Sequence, residues 1–122
     1  MESILYVDDE LINLKLFELN FRDKYHIITT PSPLEAINII EKQDIKLVIS
    51  DFKMPVLNGM QLIEKIKVLK PQIVCFILSG YLESEVVTDK SKVFRYIMKP
   101  YNKASVLSDI ENGFAHYSDS LS

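Results

Sequence analysis

The chain has no tryptophan and a single cysteine, Cys75, among its 122 residues. One cysteine cannot close an internal disulfide, and its position inside the apolar run "IVCFIL" (73–78) marks it as core filler. That run is the longest of its kind, far short of the roughly 20 apolar residues that a membrane-spanning helix needs. No charged start leads into a hydrophobic stretch and a small-residue cleavage site, so export is not expected and a cytoplasmic location is. An excess of one charge is also lacking. Fourteen basic against seventeen acidic residues give a net charge of −3, which offers no electrostatic case for nucleic acid or for a membrane surface. There is no repeat, low-complexity tract or long linker. What remains, 48% hydrophobic and 25% charged, suits one domain with a real core. We place it at residues 1–118, with 119–122 as a disordered tail.

Short apolar runs alternate with longer amphipathic ones. "SILYV" (3–7), "HIITT" (26–30), "KLVIS" (46–50), "IVCFIL" (73–78) and "FRYIM" (94–98) read as strands. Between the first two, Ile12, Leu16 and Leu19 recur at helical spacing from Leu11 to Arg22. "SPLE" looks like a helix start, with Ser32 as N-cap, Pro33 at the first helical position and Glu35 closing a capping box, and that helix should run to about Gln43. Asn58 caps a third helix whose inner face is Leu62, Ile63, Ile66 and Leu69, closed by Pro71. Leu107, Ile110, Phe114 and Tyr117 mark a last helix. Only the stretch 83–92, "ESEVVTDKSK", is thin in apolar anchors. It has Val86 and Val87, and its β-branched run predicts a short, marginal helix.

Five apolar strands with helices between them imply an α/β fold: a doubly wound parallel sheet in order 2-1-3-4-5, a flavodoxin-like three-layer sandwich. Ligands in such sheets bind beyond the carboxyl ends of the strands where the order reverses, here between strands one and three. Strand one ends in "VDDE", with Asp8 and Asp9, and strand three in "SD", with Asp51. Three unpaired carboxylates at one spot repel, and one would be forced to take up a proton unless a cation is present. All-oxygen ligation with room left for water and phosphate oxygens favours Mg²⁺ over Ca²⁺. The plainer alternative is that Asp8 or Asp9 caps the following helix. Strand four brings Ser79 and Gly80 to the same rim, and strand five leads through "MKPY" to Lys99.

With "VDDE", "SDFKMPVLNG", "LSG" and "YIMKP" in this order, the chain from about Ile4 to Phe114 resembles the receiver domain of two-component response regulators, of the chemotaxis-regulator type. The resemblance implies Asp51 as phosphoacceptor, with Mg²⁺ held by Asp8, Asp9, Asp51 and the backbone carbonyl of Lys53. Ser79, Lys99 and Tyr96 match the phosphoryl-binding and switch residues, Lys53 and Tyr81 would flank the phosphoryl group and tune its lifetime, and the Lys99–Pro100 bond would be cis. Independently of any resemblance, an aspartate can attack phosphorus when a metal and a lysine neutralise the transferring oxygens.

The implied protein is a phosphoacceptor signalling domain rather than an enzyme. Neither His26 nor His116 looks catalytic, so the phosphorylated histidine should belong to a histidine kinase or histidine phosphotransfer protein. A downstream protein, a fused output domain or a second copy in a homodimer would read the face of helix four, strand five and helix five, with Arg95, Tyr96 and Tyr101. Two alternatives stand beside this one. Haloacid-dehalogenase-like phosphatases also use an aspartyl-phosphate, but carry a second aspartate where this chain has Lys53, and usually a capping insertion. A receiver-like binding module without phosphorylation would not need all five polar site residues.

Overall fold

The inner strands are apolar on both sides, which only a sheet covered by helices on both faces can satisfy. The computed structural model describes residues 1–121. Its elements run β1 (Ser3–Val7), α1 (Leu11–Phe21), β2 (His26–Thr30), α2 (Pro33–Lys42), β3 (Leu47–Asp51), α3 (Gly59–Leu69), β4 (Val74–Ser79), α4 (Glu83–Val86), a 3₁₀ turn (Lys90–Lys92), β5 (Arg95–Met98) and α5 (Lys103–Ser120). All strands are parallel in the order β2-β1-β3-β4-β5. The expected architecture is the observed one.

Alternation along the strands sorts the core into two layers. Leu5, Val7, Val48, Cys75 and Ile77 face α2, α3 and Val86 of α4. Ile4, Tyr6, Leu47, Ile49, Val74, Phe76 and Leu78 face α1 and α5. The same parity carries Asp8 and Asp51 onto the edge of the α1/α5 layer, as the continuations of 4-6-8 and 47-49-51.

Helix starts follow their capping residues. The Ser32 hydroxyl accepts from the Glu35 N–H at 3.2 Å, with Pro33 at the first helical position; the Ser32 N–H donates to Thr30 Oγ1 at 3.2 Å rather than to Glu35, so the expected capping box is only half formed. Asn58 and Gln61 cap reciprocally, side chain to backbone, at 2.8 and 2.9 Å. The partnership of Gln61 was not anticipated. α4 is a single turn, as its β-branched run predicts.

Several expectations need correction. Ile12, Leu16 and Leu19 do not face the core; they lie 43–67% exposed, and the buried stripe is Leu14, Phe17 and Phe21. α1 is apolar nearly all round, so periodicity offers two interleaved stripes. The one with two phenylalanines buries more area and wins. Leu69 is 44% exposed at the stripe's edge in the last turn of α3. Strands three and four start one residue later than expected and end one later, so Asp51 and Ser79 are strand residues; β5 starts one later. α5 continues through Ser120, whose hydroxyl donates to the Tyr117 carbonyl at 2.7 Å. Residues 119 and 120, assigned to a disordered tail, are therefore helical; residue 122 lies outside the described residues.

Cys75 is wholly buried, and burial pushes its thiol up to about 12. A neutral, enclosed thiol reacts only when the domain opens. At pH 8 an aromatic disulfide reagent should label native protein at least ~10³-fold more slowly than protein in unfolding urea, the scale set by typical folding equilibria. Labelling followed by absorbance checks this, and fast native labelling would contradict the burial.

Candidate functional site

The carboxylates of Asp8, Asp9 and Asp51 offer oxygens within 4.8 Å of one another at the carboxyl edge of β1 and β3. Asp8 is fully buried, Asp51 nearly so and Asp9 exposed. The Lys99 ammonium lies 3.1 Å from Asp51 Oδ1 and 3.7 Å from Asp8 Oδ2. It stands on the turn after β5, where the Lys99–Pro100 bond is cis, and its N–H donates to the Ser79 carbonyl at 2.8 Å. The rim thus brings together the five polar residues picked out from the strand ends.

Asp8 has other partners that strand-end reasoning did not name. Its Oδ1 accepts the Glu10 N–H at 3.0 Å, and its Oδ2 accepts the Tyr6 hydroxyl at 2.9 Å. Glu10, not Asp8 or Asp9, occupies the N-cap of α1. Asp8 braces the entry to that helix and faces the acid cluster at once. The signal for Tyr6 was available: residues two apart on a strand share a face.

The loop after Asp51 is tight. A Cβ at position 59 would lie 2.3 Å from the Asp51 carbonyl oxygen, so Gly59 is required by close approach rather than by its dihedrals. Its N–H donates to the Phe52 carbonyl at 2.7 Å. Among the described residues it is Val56 that has a positive φ, at 75°, and the Leu57 N–H donates to the Pro55 carbonyl at 2.9 Å across it. This is a strained γ-turn at a β-branched residue.

On the other side of the rim the Ser79 hydroxyl accepts the Tyr81 N–H at 3.0 Å, and the Tyr96 hydroxyl donates to the Tyr81 carbonyl. Tyr81 meets Phe52 edge-on, and it lines an open cleft with Lys53, Met54 and Glu85. Tyr101, expected on the face of α4, β5 and α5, is elsewhere. It packs on Phe17 and Phe21 of α1, and its hydroxyl accepts from the Asn20 amide at 2.6 Å. Two aromatic rings beneath it offer more burial than the sheet edge. Arg95 remains at that edge, paired with Asp109 of α5 at 3.3 Å.

A family model described as the response regulator receiver domain matches residues 4–111. The chain belongs to that family. Among curated relatives of this receiver, the transcriptional regulatory protein GlrR of Escherichia coli is 30% identical over 89% of the chain, which spans a quarter of GlrR's own length. Sporulation initiation phosphotransferase F of Bacillus subtilis is 27% identical, over 83% of this chain and 84% of that one. The solved structure of a receiver domain protein from Clostridium thermocellum superposes with a TM-score of 0.89 at 28% identity, over 97% and 98% of the two chains. This is a receiver of two-component signalling, and among the described residues no helix is long and apolar enough to cross a membrane.

Burial, and next the charge of Asp8, push the Asp51 carboxyl above its ordinary range, while Lys99 and the Phe52 N–H pull it back. The folded receiver therefore keeps this proton to higher pH than the unfolded chain does. The resulting stability is full below the unfolded value of about 3.9 and is lost as pH rises through the folded pKa. At neutral pH the charge is a net cost, which Asp51→Asn removes. In metal-free buffer that variant should melt a few degrees higher than wild type at pH 7, the scale on which about 1 kcal/mol moves a domain of this size. The gap should close toward pH 4. Melting curves at both pH values check it, and a lower melting point for the variant at pH 7 would mean that the attraction of Lys99 prevails.

Proposed function

We propose that Asp51 is the phosphoacceptor of this receiver. The observation that carries the reading is Lys99 bridging Asp51 and Asp8 within a cluster of three carboxylates. A histidine kinase or histidine phosphotransfer protein is the donor: an Asp51 oxygen forms the new P–O bond as the P–N bond to the partner's histidine breaks, and the imidazole leaves with the electron pair. β3 holds Asp51 rigid to its last residue, which supplies the orientation that in-line attack requires. Lys99 pairs with charge on the phosphoryl oxygens, and Ser79 offers them a hydroxyl.

Receiver domains bind Mg²⁺ at their acidic pocket, and the residues present fit it. The donors are all oxygen, they converge, and only Asp9 is fully open to solvent, which suits a hard ion that keeps several waters. Asp8, Asp9, Asp51 and the Lys53 carbonyl would hold it. When bound, the ion neutralises charge on the transferring phosphoryl group. Lys53 and Tyr81 line one cleft with Phe52, the residue that follows Asp51, and a ring and a cation there obstruct hydrolytic water and lengthen the life of the acyl phosphate.

Phosphorylation draws the Ser79 hydroxyl away from Tyr81. Because Tyr96 is tied to the backbone of Tyr81, the change passes to α4 and the edge of β5, the surface we assign to an output domain, a downstream protein or a second copy of the receiver. α4 is one turn long and held chiefly by buried Val86, so it is the element with least to lose on rearranging.

Incubation with MgCl₂ and acetyl phosphate should add one phosphoryl group per chain by intact mass, and Asp51→Asn should abolish it; equal labelling of that variant would overturn the assignment. Beryllofluoride should slow hydrogen exchange across residues 82–93, and equal protection in its presence and absence would remove the switch from α4.

A further inference from the structure

Beside the acid cluster lies a buried hydroxyl to which phosphoryl transfer gives no role. Tyr6 is 1% exposed, and its hydroxyl reaches the most buried of the three acids at 2.9 Å. Its ring lies flat on Phe17 of α1, centroids 4.1 Å apart and planes 9° from parallel, and Phe17 is backed by Phe21 at 4.5 Å. The hydroxyl is therefore held in place by the core and not by solvent. A phenol ordinarily keeps its proton well past neutral pH, so this hydroxyl serves as a donor to the Asp8 carboxylate.

We propose that Tyr6 is a positioning residue for magnesium: it fixes the Asp8 carboxylate in the orientation the ion requires and keeps Lys99 from taking that carboxylate over. The inference rests on the reading of Asp8 as a metal ligand. Three lines of physical chemistry lead to it. First, a buried carboxylate needs donors on both oxygens. Oδ1 has the Glu10 N–H; apart from Tyr6, the one donor beside Oδ2 among the described residues is the Lys99 ammonium, at 3.7 Å. Second, the two donors differ in charge. An ammonium against Asp8 repels an incoming dication, whereas a phenol satisfies the oxygen without adding charge. Three carboxylates against one ammonium thus leave an excess of two negative charges to meet the ion. Third, a carboxylate oxygen has two lone pairs, so Oδ2 can accept from Tyr6 and still face a metal.

Without the hydroxyl, Oδ2 lacks a close donor, and the ammonium has every reason to move from Asp51 onto Asp8. Outer partners of metal ligands are typically worth 10–100-fold in metal affinity, and Tyr6→Phe should lose affinity on that scale. The ring stack itself is not the cause, so Phe17→Leu, which keeps the hydroxyl, should stay within about threefold of wild type.

The test is calorimetric titration of the whole chain with MgCl₂, for wild type, Tyr6→Phe, Phe17→Leu and Asp8→Asn. The magnesium-induced rise in melting temperature, taken from each variant's own value in EDTA, gives a second readout independent of baseline stability. Support is a Tyr6→Phe affinity at least tenfold weaker, with Phe17→Leu close to wild type. A Tyr6→Phe affinity within twofold of wild type, beside a weakened Asp8→Asn, overturns the role of Tyr6 and leaves the metal site standing. Equal losses in Tyr6→Phe and Phe17→Leu also overturn it, since packing and not the hydroxyl would then govern. Wild-type affinity in Asp8→Asn removes the metal-ligand reading, and this inference with it.

Discussion

Like charges held together at the carboxyl edge of the sheet are the constraint on which the rest of the molecule turns. Asp8 and Asp51 are placed by strands that cannot yield, and the core behind them excludes the water that would screen their repulsion. Lys99 answers both at once, which fixes where β5 must end and where the following turn must run. Tyr6 and the Glu10 N–H answer the remainder without charge. The arrangement is tolerable but not relaxed: the Asp51 carboxyl still sits above its ordinary range despite a lysine at 3.1 Å. Like charge buried in this way is lowered in energy by any cation brought beside it.

Strand parity is what turns a sheet into this site. Asp51 follows Leu47 and Ile49 on one face, and Asp8 follows Ile4 and Tyr6 on the same face. A slip of one residue in either strand would send a carboxylate into the layer of α2 and α3, where apolar side chains await it. The register that buries the core and the register that assembles the acids are one and the same. This couples foldedness to competence at the site.

The strands, their order and the converging acids were legible in the chain because each rests on a local pattern: a short apolar run, a bounding turn, a carboxylate at the end. What was not legible depended on competition between surfaces. The two stripes of α1 have the same period, and only the depth of the space beside Tyr6 decides for Phe17 and Phe21 over Ile12 and Leu16. Tyr101 follows "KP" directly, whereas Tyr96 stands three residues before Lys99, yet it is Tyr101 that lies against α1, because the aromatic pair there gives it more to bury against. Val56 carries a positive φ that no rule for a β-branched residue would assign; the tight return from Asp51 to α3 imposes it. Tyr6 is a different case: strand parity puts it on the face of Asp8, and what the sequence does not show is the burial of Asp8 that gives the hydroxyl its importance.

The parallel order of the sheet also sets a history for each newly made chain. β1 lies between β2 and β3, so both its neighbours have been synthesised once Asp51 has left the ribosome. β4, β5 and Lys99 come later by up to 48 residues. In chain order, then, the acids can meet before the cation that reconciles them exists. The arrival of β5 then completes the sheet and brings in the lysine that offsets part of that charge.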